Sequence, residues 1–598
     1  MDLTVPPAPL TSRQHAIYWT VAAFSAVSRF AAMARSMWDW DEALFCLGMR
    51  SYDVTNHHPH PPGFPVFIAT AKALRLIIPS DFRALQAINL VAGVLLFPAM
   101  FMLARELRMR FPTAVIGAAL CAFFPNVWFY GGTAFSDVPS ITLVVFAVAF
   151  LFRGCRDAKA YFVGSFLLAL AVGIRPQNLL IGVFPWALAT RYRIRRSVRD
   201  VVLAAVIGVA LVAVAYGGAI HETGTLAQYR TAVREHSAYI TRVDSFRNPD
   251  RPPLWRLFDR FFFKQYQSPA LGTVTSLFVI VSLIGAIRAR DRSMLFNALT
   301  FGPFAVMAWL MLDRYSVNRF SIGYAPMFAL FAADGIARLS RRVEIESFVG
   351  AILVGSFFLW TLPALTPVRN EISPSVLGVQ AVRQHLDLRR QDLFVAFSMS
   401  PFLDYLEPHV PYKRVYDERA MPLSATNRPP YLLAELEHTP GSGYIFRRPR
   451  GRLWNIARRH YFEVALEPLQ RLPRFVSGWY PPERTEVEEF RWMAGRSVTI
   501  LPPTTSDAKL RIQFDVPDEL MAAPPVVSIV LNGAVVDRFT PREAHLAREY
   551  GVKAAPGNVD NILEMSVDRT SVPAREHVGE DPRELGLLVR YLSWGPLQ

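Results

Sequence analysis

Residues 84–104 read ALQAINLVAGVLLFPAMFMLA, a run without charge that is long enough to cross a bilayer as a helix. It ends in the short basic segment 105–110. Further apolar runs that span, or nearly span, a bilayer lie at 16–33, 112–130, 138–152, 161–174, 177–190, 201–220, 269–287, 294–312, 320–337 and 347–366. The sequence therefore predicts a polytopic α-helical membrane domain of about eleven spans.

The positive charge follows the order of these runs. The net charge is +15, which by itself would suit a nucleic-acid partner. Every second connection is short and basic, however, namely 105–110, 153–159, 191–196, 288–292 and 338–342. Such loops face the cytoplasm. We therefore predict no nucleic acid, an N-terminus inside, and a chain outside after residue 367, in a cytoplasmic membrane of bacterial type. The basic connection 221–268 breaks the pattern, and we assign it to lipid phosphates.

The chain changes character after residue 367. We predict a membrane domain over 1–366, an extracytoplasmic α/β domain over 367–474 and a β-sandwich over 475–598. In the middle region we predict helices at 376–386, 401–406, 431–436 and 453–464 and strands at 392–397, 412–416 and 443–446, which favours a parallel sheet. Beyond it strands dominate, with a hairpin turn at Asn532-Gly533. Tryptophans in the sandwich favour core packing or carbohydrate binding, and both interpretations stay open.

Three carboxylates in four residues follow the first span, in Trp38-Asp39-Trp40-Asp41-Glu42. Acidic groups at the membrane surface are costly unless they are paired or functional. A solvated loop with an aromatic belt is the simpler interpretation. The functional one makes Asp41 a general base facing the outer leaflet, with Glu42 orienting the loop.

A histidine and proline segment comes next, with His57, His58 and His60. Three histidines suit a metal site, but no carboxylate stands at the spacing of a known zinc motif. We favour substrate or phosphate binding by these histidines. No cofactor is certain, and a divalent metal stays an alternative.

Three further residues lie at predicted outer ends of spans: Asp137, Arg175 and Arg319. Asp137 suits either a helix N-cap or the site. The arginines suit either contact with lipid headgroups or forked hydrogen bonds to a donor phosphate.

The order of these motifs resembles the GT-C class of integral membrane glycosyltransferases, above all its protein mannosyltransferase and aminoarabinose transferase branch. The resemblance covers about residues 30–340 and rests on Asp41-Glu42, His60-Pro61-Pro62, Ser136-Asp137 and Arg319-Phe320, where Phe replaces the family's Tyr. Some members have a basic residue after the Asp-Glu pair, whereas Ala43 and Leu44 follow it in this sequence.

This resemblance implies transfer of a sugar from a polyprenyl-phosphate donor to a lipid, glycan or protein hydroxyl on the outer face of the membrane. It implies catalytic roles for Asp41, Glu42 and Asp137, with Asp41 as the base. Because this sequence lacks the basic residue after the Asp-Glu pair, we predict that Arg319 and Arg175 bind the donor phosphate. Two alternatives stay open: a lipid-linked oligosaccharide ligase or polymerase, and a transporter of lipid-linked sugars. A third alternative, from a non-enzymatic class of function, is a sugar-binding sensor.

Overall fold

A computed structural model describes most of the chain, namely residues 3–248, 251–311, 317–340, 342–415, 428–435, 443–448, 463–469, 473–484, 489–504, 507–557 and 559–596. The chain forms two compact units. The first consists of Met1–Val376 with Arg448–Phe462, and the second of Leu377–Arg447 with Glu463–Gln598. The division into three domains at residues 366 and 474 stays a prediction.

The first unit is built from helices joined by short connections. They are α1 Ser12–Arg29, α2 Trp40–Arg50, α3 Pro65–Leu74, α4 Asp81–Glu106, α5 Phe111–Phe123, α6 Pro125–Tyr130, α7 Asp137–Gly154, α8 Ala158–Ile174, α9 Leu179–Ile194, α10 Val198–Thr223, α11 Leu226–Val243, α12 Leu254–Phe262, α13 Pro269–Ala289, α14 Arg292–Leu310, α15 Val317–Leu339 and α16 Val343–Asn370. Each predicted apolar run falls on one or two of these helices.

Within the described ranges, seven helices are long and apolar enough to cross a membrane: α4, α7, α10, α13, α14, α15 and α16. The shorter helices α3, α5 and α8 are also apolar. The polytopic helical fold is thereby confirmed, while the number eleven and the orientation in the membrane stay predictions.

The predicted run 112–130 is not one helix. It divides into α5 and α6 at Phe124, which is extended with ψ 132°, and Pro125 opens α6. Proline lacks the amide hydrogen that a continuing helix needs and disfavours helical geometry in the residue before it.

The helix bundle has two chemically different ends. Helix α7 begins at Asp137, and Arg319 lies in the first turn of α15. Arg319 Nε is 3.5 Å from Asp137 Oδ2. At the other end of α7, Arg153 pairs with Glu106 of α4 at 3.2 Å. A cavity of about 270 Å³ at this end is lined by Arg108, Arg110 and Arg338, and also by Asp291 and Asp334, which pair with Arg338. We call this the basic end.

The second unit opens with a mixed sheet. Its elements are α17 Pro374–His385, β1 Asp392–Ala396, α18 Ser400–Leu406, β2 Lys413–Val415, β3 Pro430–Glu435, β4 Tyr444–Arg447 and β5 Glu463–Pro468. The strand order is β2-β1-β3-β5-β4. Strand β1 is parallel to β2 and β3, whereas β5 is antiparallel to β3 and β4. The prediction of a parallel sheet is therefore correct for the two pairs that β1 forms and wrong for the two pairs that β5 forms.

The helix predicted at 431–436 is also wrong, because residues 431–435 belong to β3, while residue 436 lies outside the described residues. Leu432, Leu433 and Ala434 are all buried, and a short continuous apolar run cannot be told from a buried helix by its periodicity. The helix predicted at 453–464 falls almost wholly outside the described residues, and its last two positions begin β5.

The remaining strands enclose one core. They are β6 Arg474–Trp479, β7 Glu483–Arg484, β8 Glu489–Leu501, β9 Asp507–Asp515, β10 Val527–Leu531, β11 Ala534–Phe539, β12 His545–Lys553, β13 Asn561–Val567 and β14 Leu588–Pro596, with the short helix α19 Pro573–Glu576. The long strand β8 pairs with β13 in one half and β14 in the other. Asn532-Gly533 forms the predicted turn between β10 and β11, with positive φ at both residues. Trp479 packs against this core and donates to Thr499 at 3.0 Å.

Candidate active site

The start of α2 is fixed by hydrogen bonds that backbone amides donate to the carboxylates of Asp39 and Glu42. Asp39 is the N-cap and accepts from the amide of Asp41 at 3.0 Å. Glu42 reaches back to accept from the amides of Trp38 at 2.5 Å and Asp39 at 3.0 Å. Its other oxygen accepts from the amide of Ala134 at 2.8 Å. Glu42 thus ties α2 to the segment that precedes α7.

Glu42 is fully buried. Burial raises the pKa of its carboxyl to about 7, against the opposing effect of the three backbone N–H donors. Its hydrogen bonds are to backbone amides, namely those of Trp38, Asp39 and Ala134.

Four charged side chains from distant parts of the sequence meet beside this helix start. Arg319 donates from Nη1 to Asp41 Oδ2, and its Nε lies 3.5 Å from Asp137 Oδ2. Arg175 donates from Nη2 to the same Asp137 oxygen at 2.7 Å. The exposed fraction of these side chains ranges from 5% for Asp137 to 17% for Arg319. We call Asp41, Asp137, Arg175 and Arg319 the ion-pair cluster.

The interpretation of Asp137 as an N-cap is wrong. The N-cap of α7 is Ser136, which makes no side-chain cap bond, and Asp137 is the first helical residue. The hydroxyl of Ser136 instead accepts from Arg175 Nε at 2.9 Å. Asp137 is therefore available to hold both arginines, and Arg175 can do so because it directly follows the last residue of α8.

Aromatic rings lie against both guanidinium groups. The ring of Phe135 is 4.5 Å from Arg319 Cζ, and that of Phe64 is 5.3 Å from Arg175 Cζ. Such contacts attract the cation and keep water from one face of it. Each guanidinium carries five N–H donors, and the contacts to carboxylates described above use two on Arg319 and one on Arg175. The geometry suits a cluster that holds arginines in place for a further anion.

The three predicted histidines are placed differently. His60 reaches the cluster, with Nδ1 3.9 Å from Asp41 Oδ1. His57 is exposed, and its ring lies 5.6 Å from that of His236. His58 pairs through its backbone with Asp53. Among the described residues no group of three His, Cys, Asp or Glu side chains is arranged to hold a metal ion.

His236 was missed in the sequence. It lies on α11 in the basic connection 221–268, and its ring is 5.8 Å from that of His60. The hydroxyl of Tyr229 on the same helix donates to the carbonyl of Pro62 at 2.8 Å. The sequence of α11 is amphipathic, which predicts a helix there but does not indicate which loop that helix contacts.

The chain was compared with protein-family models, curated proteins and solved structures. No protein-family model matches the chain, and no curated protein matches it. Solved structures do. ArnT from Cupriavidus metallidurans bound to undecaprenyl phosphate is 13% identical, with a TM-score of 0.46 over 76% of this chain and 98% of that one.

Two further matches concern parts of the chain. The Pmt1-Pmt2 protein O-mannosyltransferase complex of S. cerevisiae, bound to the sugar donor, is 15% identical, with a TM-score of 0.28 over 38% of this chain and 34% of that one. A family 35 carbohydrate binding module from Clostridium thermocellum is 14% identical, with a TM-score of 0.14 over 21% and 100%. Both transferase branches named by the sequence resemblance are thus represented among structures similar to this chain, although all these TM-scores lie below 0.5.

Proposed function

We propose that this chain is a glycosyltransferase that moves a sugar from a polyprenyl-phosphate carrier to an acceptor hydroxyl. The observation that carries the proposal is a buried carboxylate, Asp41, held by an arginine that also contacts a second carboxylate, Asp137. A transfer of this kind needs a base for the acceptor and fixed cations for the phosphate that leaves. The ion-pair cluster supplies both within one site.

The bonds change as follows. The acceptor oxygen attacks the anomeric carbon of the sugar while its proton passes to Asp41. The bond between that carbon and the phosphate oxygen breaks, and its electron pair stays on the phosphate. Arg319 and Arg175 then stabilise the charge that develops there with N–H donors not engaged by the carboxylates.

The carboxylates of the ion-pair cluster balance the charge of its two arginines. Two buried cations without counter-ions would be costly, and Asp41 and Asp137 offset them. Because each guanidinium carries more N–H groups than these carboxylates engage, a phosphate can be bound without separating the ion pairs. Preorganised donors of this kind contribute most of the electrostatic stabilisation in many enzymes.

Asp41→Asn tests the proposal directly. Purified protein in detergent is given undecaprenyl-phosphate mannose, glucose, arabinose and aminoarabinose in turn, each with a heat-treated cell-envelope extract that supplies acceptor hydroxyls. Release of undecaprenyl phosphate is then measured. Loss of a positioned base lowers the rate by about 100- to 10,000-fold. Binding of undecaprenyl phosphate should not weaken in Asp41→Asn, since Arg319 keeps its charge and loses a competing partner.

Asp39→Asn is the matched control, being the same chemical change two residues away. Asparagine caps a helix about as well as aspartate, so this variant should keep most of its activity. Normal turnover in Asp41→Asn would exclude Asp41 as the base. If Asp137→Asn were the inactive variant, the base would move to α7. Movement of intact donor across vesicle membranes without sugar release would instead indicate a transporter.

A further inference from the structure

His60 presents an unusual atom to the proposed base. Its Nδ1 is buried, has no hydrogen-bond partner among the described residues and lies 3.9 Å from Asp41 Oδ1. A buried nitrogen without a partner is costly and needs an explanation. Arg319 holds the other carboxylate oxygen of Asp41, so Oδ1 and Nδ1 face each other at the edge of the ion-pair cluster.

A line of imidazoles leads from this point to the surface. The ring of His60 is 5.8 Å from that of His236 on α11, and the ring of His236 is 5.6 Å from that of His57. These are distances between ring centroids, and they place neighbouring rings close enough for a proton to pass between their nitrogens directly or through one water at the ring edges. Exposure increases along the line, because His60 and His236 are half-buried and His57 is exposed.

We propose that His60, His236 and His57 form a relay that carries the acceptor's proton from Asp41 to solvent, an inference that rests on the proposed function. After transfer, protonated Asp41 gives its proton to His60 Nδ1. His60 releases a proton from Nε2 to His236, which passes one through His57 to water. The rings then regain their first tautomers by exchanging N–H protons with water, with no net gain or loss of protons, so that a bare Nδ1 of His60 again faces Asp41. One proton leaves the site in each turnover, and Asp41 is again a carboxylate.

The charges around His60 suit a carrier. Asp41 on α2 attracts its proton, while Arg319 on α15, His236 on α11 and His57 repel it. Burial lowers the pKa of His60 to about 3 and that of His236 to about 4. Both rings are therefore neutral at pH 7, and each has one nitrogen that can accept a proton. A proton that reaches them is not retained.

The relay predicts a specific kinetic defect in His60→Gln and His236→Gln. Asp41 begins each experiment ionised, so the first turnover does not need the relay. We expect a burst of undecaprenyl phosphate equal to the amount of enzyme, followed by a steady rate at least about tenfold below that of the unchanged protein. Added imidazole should restore the steady rate, because a diffusible base can take the proton instead.

The assay uses the donor of the panel that the unchanged protein turns over, in weak buffer at pH 7. His15→Gln, an exposed histidine on α1, is the control and should show neither burst nor response to imidazole. A slow first turnover in the histidine variants, or a steady rate insensitive to imidazole, would overturn the relay. If His60→Gln fails to fold, His236→Gln decides alone.

The two proposals fail in different ways. Absence of undecaprenyl phosphate release by the unchanged protein with every donor would refute the transferase itself. Release that depends on Asp41 but not on the histidines would leave the transferase standing and remove only the relay.

Discussion

Arg319 contacts two carboxylates through different nitrogens, and this geometry gives the first prediction. Arg319→Lys keeps the charge, but one ammonium lacks the planar fork that reaches Asp41 and Asp137 together. We expect undecaprenyl phosphate to bind more weakly to Arg319→Lys, and more weakly still to Arg319→Ala. Loss of a charge-assisted bond costs about 1.5–3 kcal/mol, or about 10- to 150-fold in Kd. Titration by tryptophan fluorescence measures it.

Arg13→Ala is the control, since Arg13 is exposed on α1 and far in sequence from the site. Its Kd should be unchanged. A folded Arg319→Ala protein with an unchanged Kd would contradict the assignment and leave Arg175 to bind the phosphate.

Glu42 yields the second prediction at this scale. Its two oxygens accept from three backbone amides on both sides, at Trp38, Asp39 and Ala134. In Glu42→Gln one oxygen becomes an NH2 group, so a donor must face a donor. Leaving a buried donor unsatisfied costs about 1–3 kcal/mol. We expect a lower Tm and a reduced rate, with the donor still bound.

The pH dependence of stability identifies the same carboxyl. The pKa of Glu42 is raised to about 7 in the folded chain from 4.5. Between these values the folded chain binds a proton that the unfolded chain has released, so this group's contribution to stability falls as pH rises from about 4.5 to 7. Glu42→Gln should lack that part of the slope when Tm is followed from pH 4.5 to 8. An identical slope in both proteins would contradict the raised pKa.

At the scale of elements, the site depends on a close contact before α7. A Cβ on Gly132 would lie 1.8 Å from the carbonyl oxygen of Ala32, so the backbones touch there. The carbonyl of Gly132 also accepts from the amide of Ala34 at 2.9 Å. Gly132→Ala must push this segment outward, together with Ala134 and Asp137 behind it. We expect a loss of transfer activity and a lower Tm.

Gly217→Ala on α10 is the matched change, since nothing lies within 4 Å of a Cβ built there. Alanine replaces glycine in a helix with a gain of up to about 1 kcal/mol, so this variant should be as stable as the parent or slightly more. Equal effects of the two substitutions on Tm and rate would show that the contact at Gly132 does not position the site.

The helices were predictable from the sequence where apolar length alone decides them, as in α4 and α10. Their breaks needed local chemistry: Pro125 ends a helix that the apolar run 112–130 would continue. Strand β3 was not predictable, because its buried residues carry no periodicity that distinguishes strand from helix. Tertiary packing therefore decides the structure of β3, whereas the break at Pro125 is decided by local chemistry.

At the scale of the whole molecule, the sequence indicates which residue types cluster but not their pairing. Asp41, Asp137, Arg175 and Arg319 were each identified from their positions at the ends of apolar runs. That Arg319 joins both carboxylates depends on the packing of α7 against α15, which no spacing encodes. His236 was missed for the same reason, because α11 meets the loop of His60 only in three dimensions.

The bundle's two ends also determine which way it should lie in the membrane. Helix α7 runs from the ion-pair cluster to the basic end, a distance of about 27 Å for its length and close to the thickness of the hydrocarbon core. At the basic end, Arg153 and Arg156 pair with buried Glu106, and Arg110 pairs with buried Glu346. Basic loops that connect spans stay in the cytoplasm. The cluster should therefore face the opposite side.

This orientation gives the last prediction. A reporter fused after Arg195, in the basic connection between α9 and α10, should show a cytoplasmic location. One fused after Glu371, beyond α16, should be active only outside. Cysteines placed singly at Arg195 and Glu371 give the same test without a fusion, because a membrane-impermeant maleimide should label only the second in intact cells. The cysteines at 46, 121 and 155 are buried, so they contribute little background. Labelling of position 195 from outside would invert the bundle, place Asp41 in the cytoplasm, and require a donor whose sugar faces inward.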